Sequence, residues 1–374
     1  MPPNPFSASR KGEGLGPFRP SIRDRKAEHI AISTAKDVEP PIAASWSDVT
    51  LVHNCLPEVD LDDVDLSVDF LGRRLAAPLM ISSMTGGHEL ARSINAVLAE
   101  VAESFGLAMG VGSQRAYLRD HSLARTYTVA REVAPTAFLV GNVGAPQLIE
   151  QNGEPALSLD EVRSLVQLIR ADGLAIHLNY LQETVQPEGD TRARGVLTAI
   201  GQVVKSCGVP VIAKETGAGM NTAQARQLAA EGVRAIDVGG LGGTSFAIVE
   251  GERARMRNRR DKAILGELFA GWGIPTMVSI PLAGEAGLPV IGSGGIRSGL
   301  DAARALALGA SLVGVARPLL VVAEQGVRAT RAWVERFLEE LRTVLFLTGC
   351  RTPAELRGKA VVTGRTRELL DGFR

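Results

Sequence analysis

Four polar residues in one short segment, HLNYLQETVQPEGD (177–190), have the types needed to hold an anion and move a proton. His177 and Asn179 offer hydrogen-bond donors and Gln182 an amide, while Glu183 is the kind of carboxylate that Mg²⁺ takes together with substrate phosphate oxygens. Glu188 and Asp190 follow close behind. Strand alternation puts His177 and Asn179 on the same face, so both can point to one end of a sheet. A histidine by itself is more often a satisfied core residue; the company of Asn179, Gln182 and Glu183 favours a site.

A second chemistry is written in glycine. The runs GSGGIRSG (292–299) and GVARP (314–318) each follow a short apolar stretch. Such turns let backbone N–H groups at a helix N-terminus face a phosphate. Gly292, Gly294 and Gly295 allow close approach, Ser293 and Arg297 add donors, and Ala316 with Arg317 closes the cradle. A plain glycine turn between strand and helix is the competing reading. Ser83, Met84 and Thr85 in SSMTGG (82–87), Ser113 and Arg115 in GVGSQR (110–115), and Asn142 bring further polar groups. Lys214 would place positive charge beside the pyrimidine edge of a flat cofactor such as FMN, or else pair with a carboxylate such as Glu215. Two charged runs read, from composition, as solvated helix: Arg25-Lys26-Ala27-Glu28-His29, and ERARMRNRRDK (252–262), the latter mobile or solvated.

The elements that must position these residues are short apolar runs of the kind that form parallel strands buried on both sides. They span 77–81, 107–111, 137–143, 174–178, 210–213, 235–238, 289–291 and 311–315. Helical periodicity separates most of them. Residues 89–105, for example, carry Leu90, Ile94, Val97, Leu98 and Val101 as one buried stripe, and Gly232 and Gly309 stand where later helices would close left-handed. Eight such units without an antiparallel signal predict a (β/α)8 TIM barrel, whose active site lies at the C-terminal ends of the strands. The expected layout is a disordered tail at 1–20, a capping segment at 21–76, the barrel at 77–320 and a mainly helical segment at 321–374.

Composition narrows the function classes. Lys and Arg total 41, as do Asp and Glu, and aromatic residues make up 4%. The chain thus offers no long-range pull on nucleic acid or an acidic membrane, and no base-stacking surface. The 374 residues show no signal pattern, and the apolar stretch 302–323 is broken by Arg304, Gly309, Arg317 and Pro318. Cys55, Cys207 and Cys350 are too scattered for a zinc site or a disulfide framework, which fits a reducing cytoplasm.

Together the motifs RKAEH, SSMTGG, GVGSQR, HLNYLQE with QPEGD, AKETG, DVGGLGGTS, SGGIRSGLD and GVARP resemble the type 2 isopentenyl diphosphate isomerases, over about residues 21–350. The resemblance implies an FMN-binding barrel that converts isopentenyl diphosphate to dimethylallyl diphosphate at reduced flavin, with Mg²⁺, with NADPH as reductant and as a homo-oligomer. It implies FMN held by Ser83, Met84, Thr85, Ser113, Asn142, Lys214, Thr244, Gly294, Arg297, Ala316 and Arg317. The diphosphate would be held by Arg25, Lys26, Ser113, Arg115, His177 and Asn179, with Gln182 at the reacting carbons and Glu183 on the metal. Phe246 and Tyr180 depart from the family's more usual Trp and Pro, and Glu250 is a secondary candidate.

Two rivals bear on the same residues. A hydroxy-acid oxidase would need a histidine base late in the barrel, yet none of the 5 histidines lies beyond His177, and a nucleotide dehydrogenase of the inosinate type would need a cysteine that 239–250 lacks. A catalytically silent flavin- or phosphate-binding protein would not need the acid, amide and metal-type residues.

Overall fold

In the computed structural model, which describes residues 22–40 and 45–373, the eight apolar runs close into a parallel barrel. The tail expected at 1–20 lies outside the described residues. We number the barrel strands β1 (Leu79–Ile81), β2 (Ala108–Gly110), β3 (Phe138–Gly144), β4 (Gly173–Leu178), β5 (Val211–Glu215), β6 (Ala235–Asp237), β7 (Val290–Ser293) and β8 (Leu312–Val315). Closure comes from β8 pairing with β1, Val313 opposite Leu79 and Val315 opposite Ile81.

Alternation sorts the strand residues into two cores. Leu79, Ile81, Leu139, Leu174, Ile176 and Ile236 face the surrounding helices. Met80, Ala108, Phe138, Val140, Ala175, Ile212, Ala235, Ile291 and Leu312 fill the barrel itself. Beneath them lies a plug that the sequence did not reveal. The antiparallel pair Val68–Phe70 and Arg73–Leu75 inserts Phe70 and Leu75 into the inner cluster, with Phe70 edge-on to Phe138 at 6.0 Å. Its turn places both Leu71 (φ 47°) and Gly72 (φ 83°) in the left-handed region, which costs the leucine roughly 1–2 kcal/mol.

A second antiparallel pair also corrects the expectation of none. Val49–Leu51 pairs with Ala360–Val362 and ties the capping segment to the C-terminal part. The residues after β8 are otherwise mainly helical, including Val327–Leu347, which buries Trp333, Phe337, Leu341 and Leu345.

Helix α1 (Ile22–Ala35) lies before the barrel strands, and α2 (Glu89–Ser104) follows β1. In α2 the buried stripe runs through Ala91, Ile94, Leu98 and Val101; Leu90, expected in it, lies off that stripe and is 46% exposed. After β4 comes the short α3 (Tyr180–Val185), and after β6 the hairpin of α4 (Phe246–Met256) and α5 (Arg260–Leu268). Gly251 and Gly266 let these two cross closely, since a Cβ on Gly266 would stand 2.6 Å from Ala247 O. Among the described residues no helix is long and apolar enough to cross a membrane.

Candidate active site

The inward rows of the strands do not stop at the apolar layer. One step further along the chain, the same alternation brings Ser82, Asn142, His177, Lys214, Asp237, Ser293 and Gly314 to the C-terminal mouth. Register then decides who meets whom: His177 lies opposite Lys214, and Lys214 opposite Asp237. Above this floor opens a cavity of about 1380 Å³, counting its open mouth.

Of the residues assigned from the sequence to FMN, diphosphate, metal or the phosphate cradle, all line that cavity except Thr85 and Gly292, and a Cβ on Gly292 would point to Ile280, Ala305 and Ala310 instead. Thr85 lies behind the wall, buried, with its carbonyl accepting from Gly112 N and Asn95 Nδ2.

Along one side the cavity has the makings of a flavin cradle. The hydroxyls of Ser82 and Ser83 are buried without a partner. Gly294 (φ 106°) and Gly295 (φ 78°) are in the left-handed region, and a Cβ on either would stand 2.1 Å from Gly240 O or 2.4 Å from Gly242 O. Lys214 does have a carboxylate partner, but not the anticipated Glu215. Its Nζ donates to Asp237 Oδ2 at 2.9 Å, as the register requires, while the Glu215 carboxylate accepts backbone N–H groups of Gly217, Ala218 and Gly219. Asp237 is 1% exposed and sits below the lysine, so the ammonium still faces the cavity.

Cations gather on another side. Lys26 donates to Ser113 O at 3.2 Å, and Arg115 is held by Glu154 and Asp190, each at 2.7 Å. Burial, with help from Arg25, pushes the Lys26 ammonium down to about 7. Burial likewise lowers Arg25. His177 is neutral: burial first, then Lys26 and Lys214, bring it to about 3. Asn142 donates to Val111 O (3.1 Å), which turns its Oδ1 toward His177 Nδ1 at 2.8 Å.

The residues that follow β4 line the same cavity. Asn179 Nδ2 reaches both Gln182 Oε1 (3.2 Å) and Glu183 Oε1 (3.0 Å), and its own Oδ1 is a buried acceptor without a partner. Glu183 also accepts from Asp190 N (2.8 Å) and Gln186 Nε2 (3.3 Å), and burial raises its pKa. Among the described residues no group of three or more His, Cys, Asp or Glu could hold a metal ion by itself.

The run 25–29 is built into the site, and from the run 252–262, most of which is solvated as expected, Arg253 and Arg257 reach it. In α1, His29 meets Glu250 at 2.8 Å and Glu28 pairs with Arg253 and Arg257, while Arg317 donates to Ser33 O and Lys36 O. Arg253, from the run expected to be mobile or solvated, is fully buried. Glu39 carried no signal in the sequence; it bridges Arg297 and Arg317 at the glycine cradle. Asp237 opens the DVGGLGGTS motif, yet the sequence assigned it no role.

The family model described as FMN-dependent dehydrogenase matches residues 42–128 and 177–363. Proteins named isopentenyl-diphosphate delta-isomerase from Methanoregula boonei, Thermoplasma volcanium and Halobacterium salinarum are 47%, 48% and 46% identical to this chain. The alignments cover 93%, 92% and 93% of it and 96%, 97% and 96% of theirs. Among solved structures, a lactate oxidase from Pediococcus acidilactici aligns with a TM-score of 0.60 at 16% identity, over 85% of this chain and 84% of that one. A mandelate oxidase variant aligns with 0.56 at 20%, over 90% and 92%. These last two share the fold.

Proposed function

The chain belongs to the isopentenyl-diphosphate delta-isomerases, within the wider family of FMN-dependent dehydrogenases, and from that premise we propose how its cavity moves a double bond. The reaction converts isopentenyl diphosphate to dimethylallyl diphosphate with no net redox change. One observation carries the reading: a flavin-type cradle, a cation cluster, an amide and a carboxylate all line a single cavity.

The residues fit FMN. Ser82 and Ser83 offer buried hydroxyls with unused hydrogen-bonding capacity, the Gly294–Gly295 turn admits a phosphate against the backbone, and Lys214 stands where ring charge needs balancing. Reduced FMN, bound there, supplies proton-transfer capacity and an electron-rich face for the positive charge that develops on carbon. They fit Mg²⁺ as a partial site. Glu183 would give one anionic oxygen and Asn179 Oδ1 a neutral one, with the remaining ligands from substrate phosphate and water.

Arg25, Lys26 and Arg115 would bind the diphosphate; His177, whose Nδ1–H is given to Asn142 Oδ1, would donate from Nε2 once the bound anion favours its protonated form, and Asn179, whose NH₂ goes to Gln182 and Glu183, would reach it through the metal at its Oδ1. Fixing this unreactive end positions the alkene over the cavity floor, so that binding energy is used for orientation. Gln182 would then lie at the reacting carbons. NADPH would supply the electrons that reduce the flavin, and the assembly would be a homo-oligomer.

The test is a visible spectrum of the purified protein, followed by anaerobic assay with isopentenyl diphosphate, Mg²⁺ and dithionite-reduced flavin. A flavin spectrum and formation of dimethylallyl diphosphate are expected; protein that takes up no FMN, or reduced holoenzyme that forms no product, would sink the reading.

A further inference from the structure

Arg253 on α4 is fully buried, and its guanidinium is shared by three carboxylates from three segments. They are Glu28 of α1 at 2.9 Å, Glu188 after α3 at 2.8 Å, and Glu250 one turn earlier on α4. One carboxylate neutralises one guanidinium. The others add negative charge to a poorly hydrated interior, where ionic groups are costly unless their geometry is fully satisfied. Arg257, on Glu28 at 2.6 Å, offsets part of that excess.

Glu250 links this hub to two residues that line the cavity, His29 and Gln182. Arg253 takes its Oε2, leaving Oε1 to accept from both His29 Nε2 at 2.8 Å and Gln182 Nε2 at 2.9 Å. An ionised carboxylate only accepts. Gln182 must therefore turn its NH₂ toward Glu250 and its carbonyl oxygen the other way, toward Asn179 Nδ2 and the cavity. An amide without such a neighbour could present either end.

We propose that Arg253 is a positioning residue for the isomerisation. By fixing Glu250 it sets which end of the Gln182 amide faces the reacting carbons, and by holding Glu28 it seats α1, which carries Arg25 and Lys26. The negative end of an oriented amide dipole then faces the region where positive charge develops, and it needs no reorganisation during the reaction. The proposal rests on the isomerase reading of the cavity.

A double-mutant cycle in the reduced FMN holoenzyme tests it, with kcat, KM for isopentenyl diphosphate and FMN content measured throughout. Arg253→Met is expected to lower kcat roughly 10- to 100-fold while FMN stays bound, and Arg253→Lys to restore part of the loss. In a Gln182→Ala background the same Arg253→Met step should change kcat by no more than about twofold, because the group it orients is gone. The rise in KM, which comes through Glu28 and α1, should persist in both backgrounds. A purely structural role makes the kcat losses multiply, and that result overturns the proposal.

If Arg253→Met does not fold, Glu250→Gln decides the same question, since its amide can offer an NH₂ to Gln182 and reverse it. Loss of kcat in the wild-type background alone supports the coupling; equal loss in the Gln182→Ala background overturns it. Wild-type holoenzyme that fails to isomerise the substrate overturns the site reading and the proposal with it, whereas wild-type turnover with multiplying losses overturns the proposal alone.

Discussion

Gln182 and Glu183 are neighbours in sequence yet reach different partners, and they should fail differently. Gln182→Ala removes the amide between Asn179 and Glu250, so turnover should fall by roughly 10²- to 10⁴-fold with Mg²⁺ dependence unchanged. Glu183→Gln replaces an anionic oxygen with a neutral one and should raise the Mg²⁺ needed for half-maximal rate. Turnover against Mg²⁺ concentration separates them; rescue of Gln182→Ala by excess Mg²⁺, with no effect on Glu183→Gln, would reverse the roles. Lys26 gives a pH signature. Its pKa, pushed down to about 7 by burial and by Arg25, means that the free protein loses this cation as pH rises through about 7. A bound diphosphate favours the protonated form, so kcat/KM should hold below that pH and decline above it. Lys26→Arg keeps its charge and should abolish the decline. Identical basic limbs in the two profiles would assign that limb to another group. Gln182 and Glu183 were legible because they follow closely on an apolar run; Lys26 was legible only through the resemblance, since composition reads its segment as solvated helix. Arg253 and Glu39 were not, because what distinguishes them is a partner more than two hundred residues away in the chain.

At the scale of elements, the strands were legible because being buried on both faces makes them apolar runs whatever else the chain does. The hairpin at 68–75 was not, since its strands are three residues each and carry Asp69, Arg73 and Arg74 on exposed positions. The start of helix α1, 25–29, was read as solvated for a physical reason: it is mostly charged and docks through Lys26, Glu28 and His29, whose partners lie on other elements, while Ile30 and Ile32 beyond it are buried. Likewise α4 buries Arg253 while Arg255, two positions on, stays exposed, a difference that charge composition cannot carry. The segment continuing from α1 ends on Glu39, which neutralises Arg297 and Arg317 at the glycine cradle. A phosphate arriving there competes with that carboxylate for the same two guanidinium groups. Glu39→Gln should therefore tighten FMN, lowering its Kd by roughly two- to fivefold, a modest effect because the three side chains are partly solvated. Titration of apoprotein by flavin fluorescence measures it. Weaker FMN binding would make Glu39 a brace for the segment instead of a competitor for the phosphate.

The whole molecule carries no net charge, so its preference for an anionic substrate must come from the mouth of the barrel and not from its overall field. The same barrel, at 16% and 20% identity, serves a lactate oxidase and a mandelate oxidase, and fold alone therefore leaves the chemistry open. What separates the readings is the mouth. No histidine occurs after His177, which sits at the β4 end, neutral and hydrogen-bonded to Asn142. An oxidase needs a base that removes a proton from a hydroxy acid while a hydride equivalent leaves for the flavin. Here the cavity is lined, beside the cradle and the cations, by the amide of Gln182 and the buried carboxylate of Glu183. Lactate or mandelate mixed anaerobically with oxidised holoenzyme should accordingly leave the flavin absorbance unchanged. Isopentenyl diphosphate added to enzyme reduced once by NADPH should be converted through many turnovers with no further NADPH consumed. The two experiments share one spectrophotometric readout. Bleaching of the flavin by either hydroxy acid, or one NADPH oxidised for each dimethylallyl diphosphate formed, would return the protein to the oxidoreductases whose fold it shares.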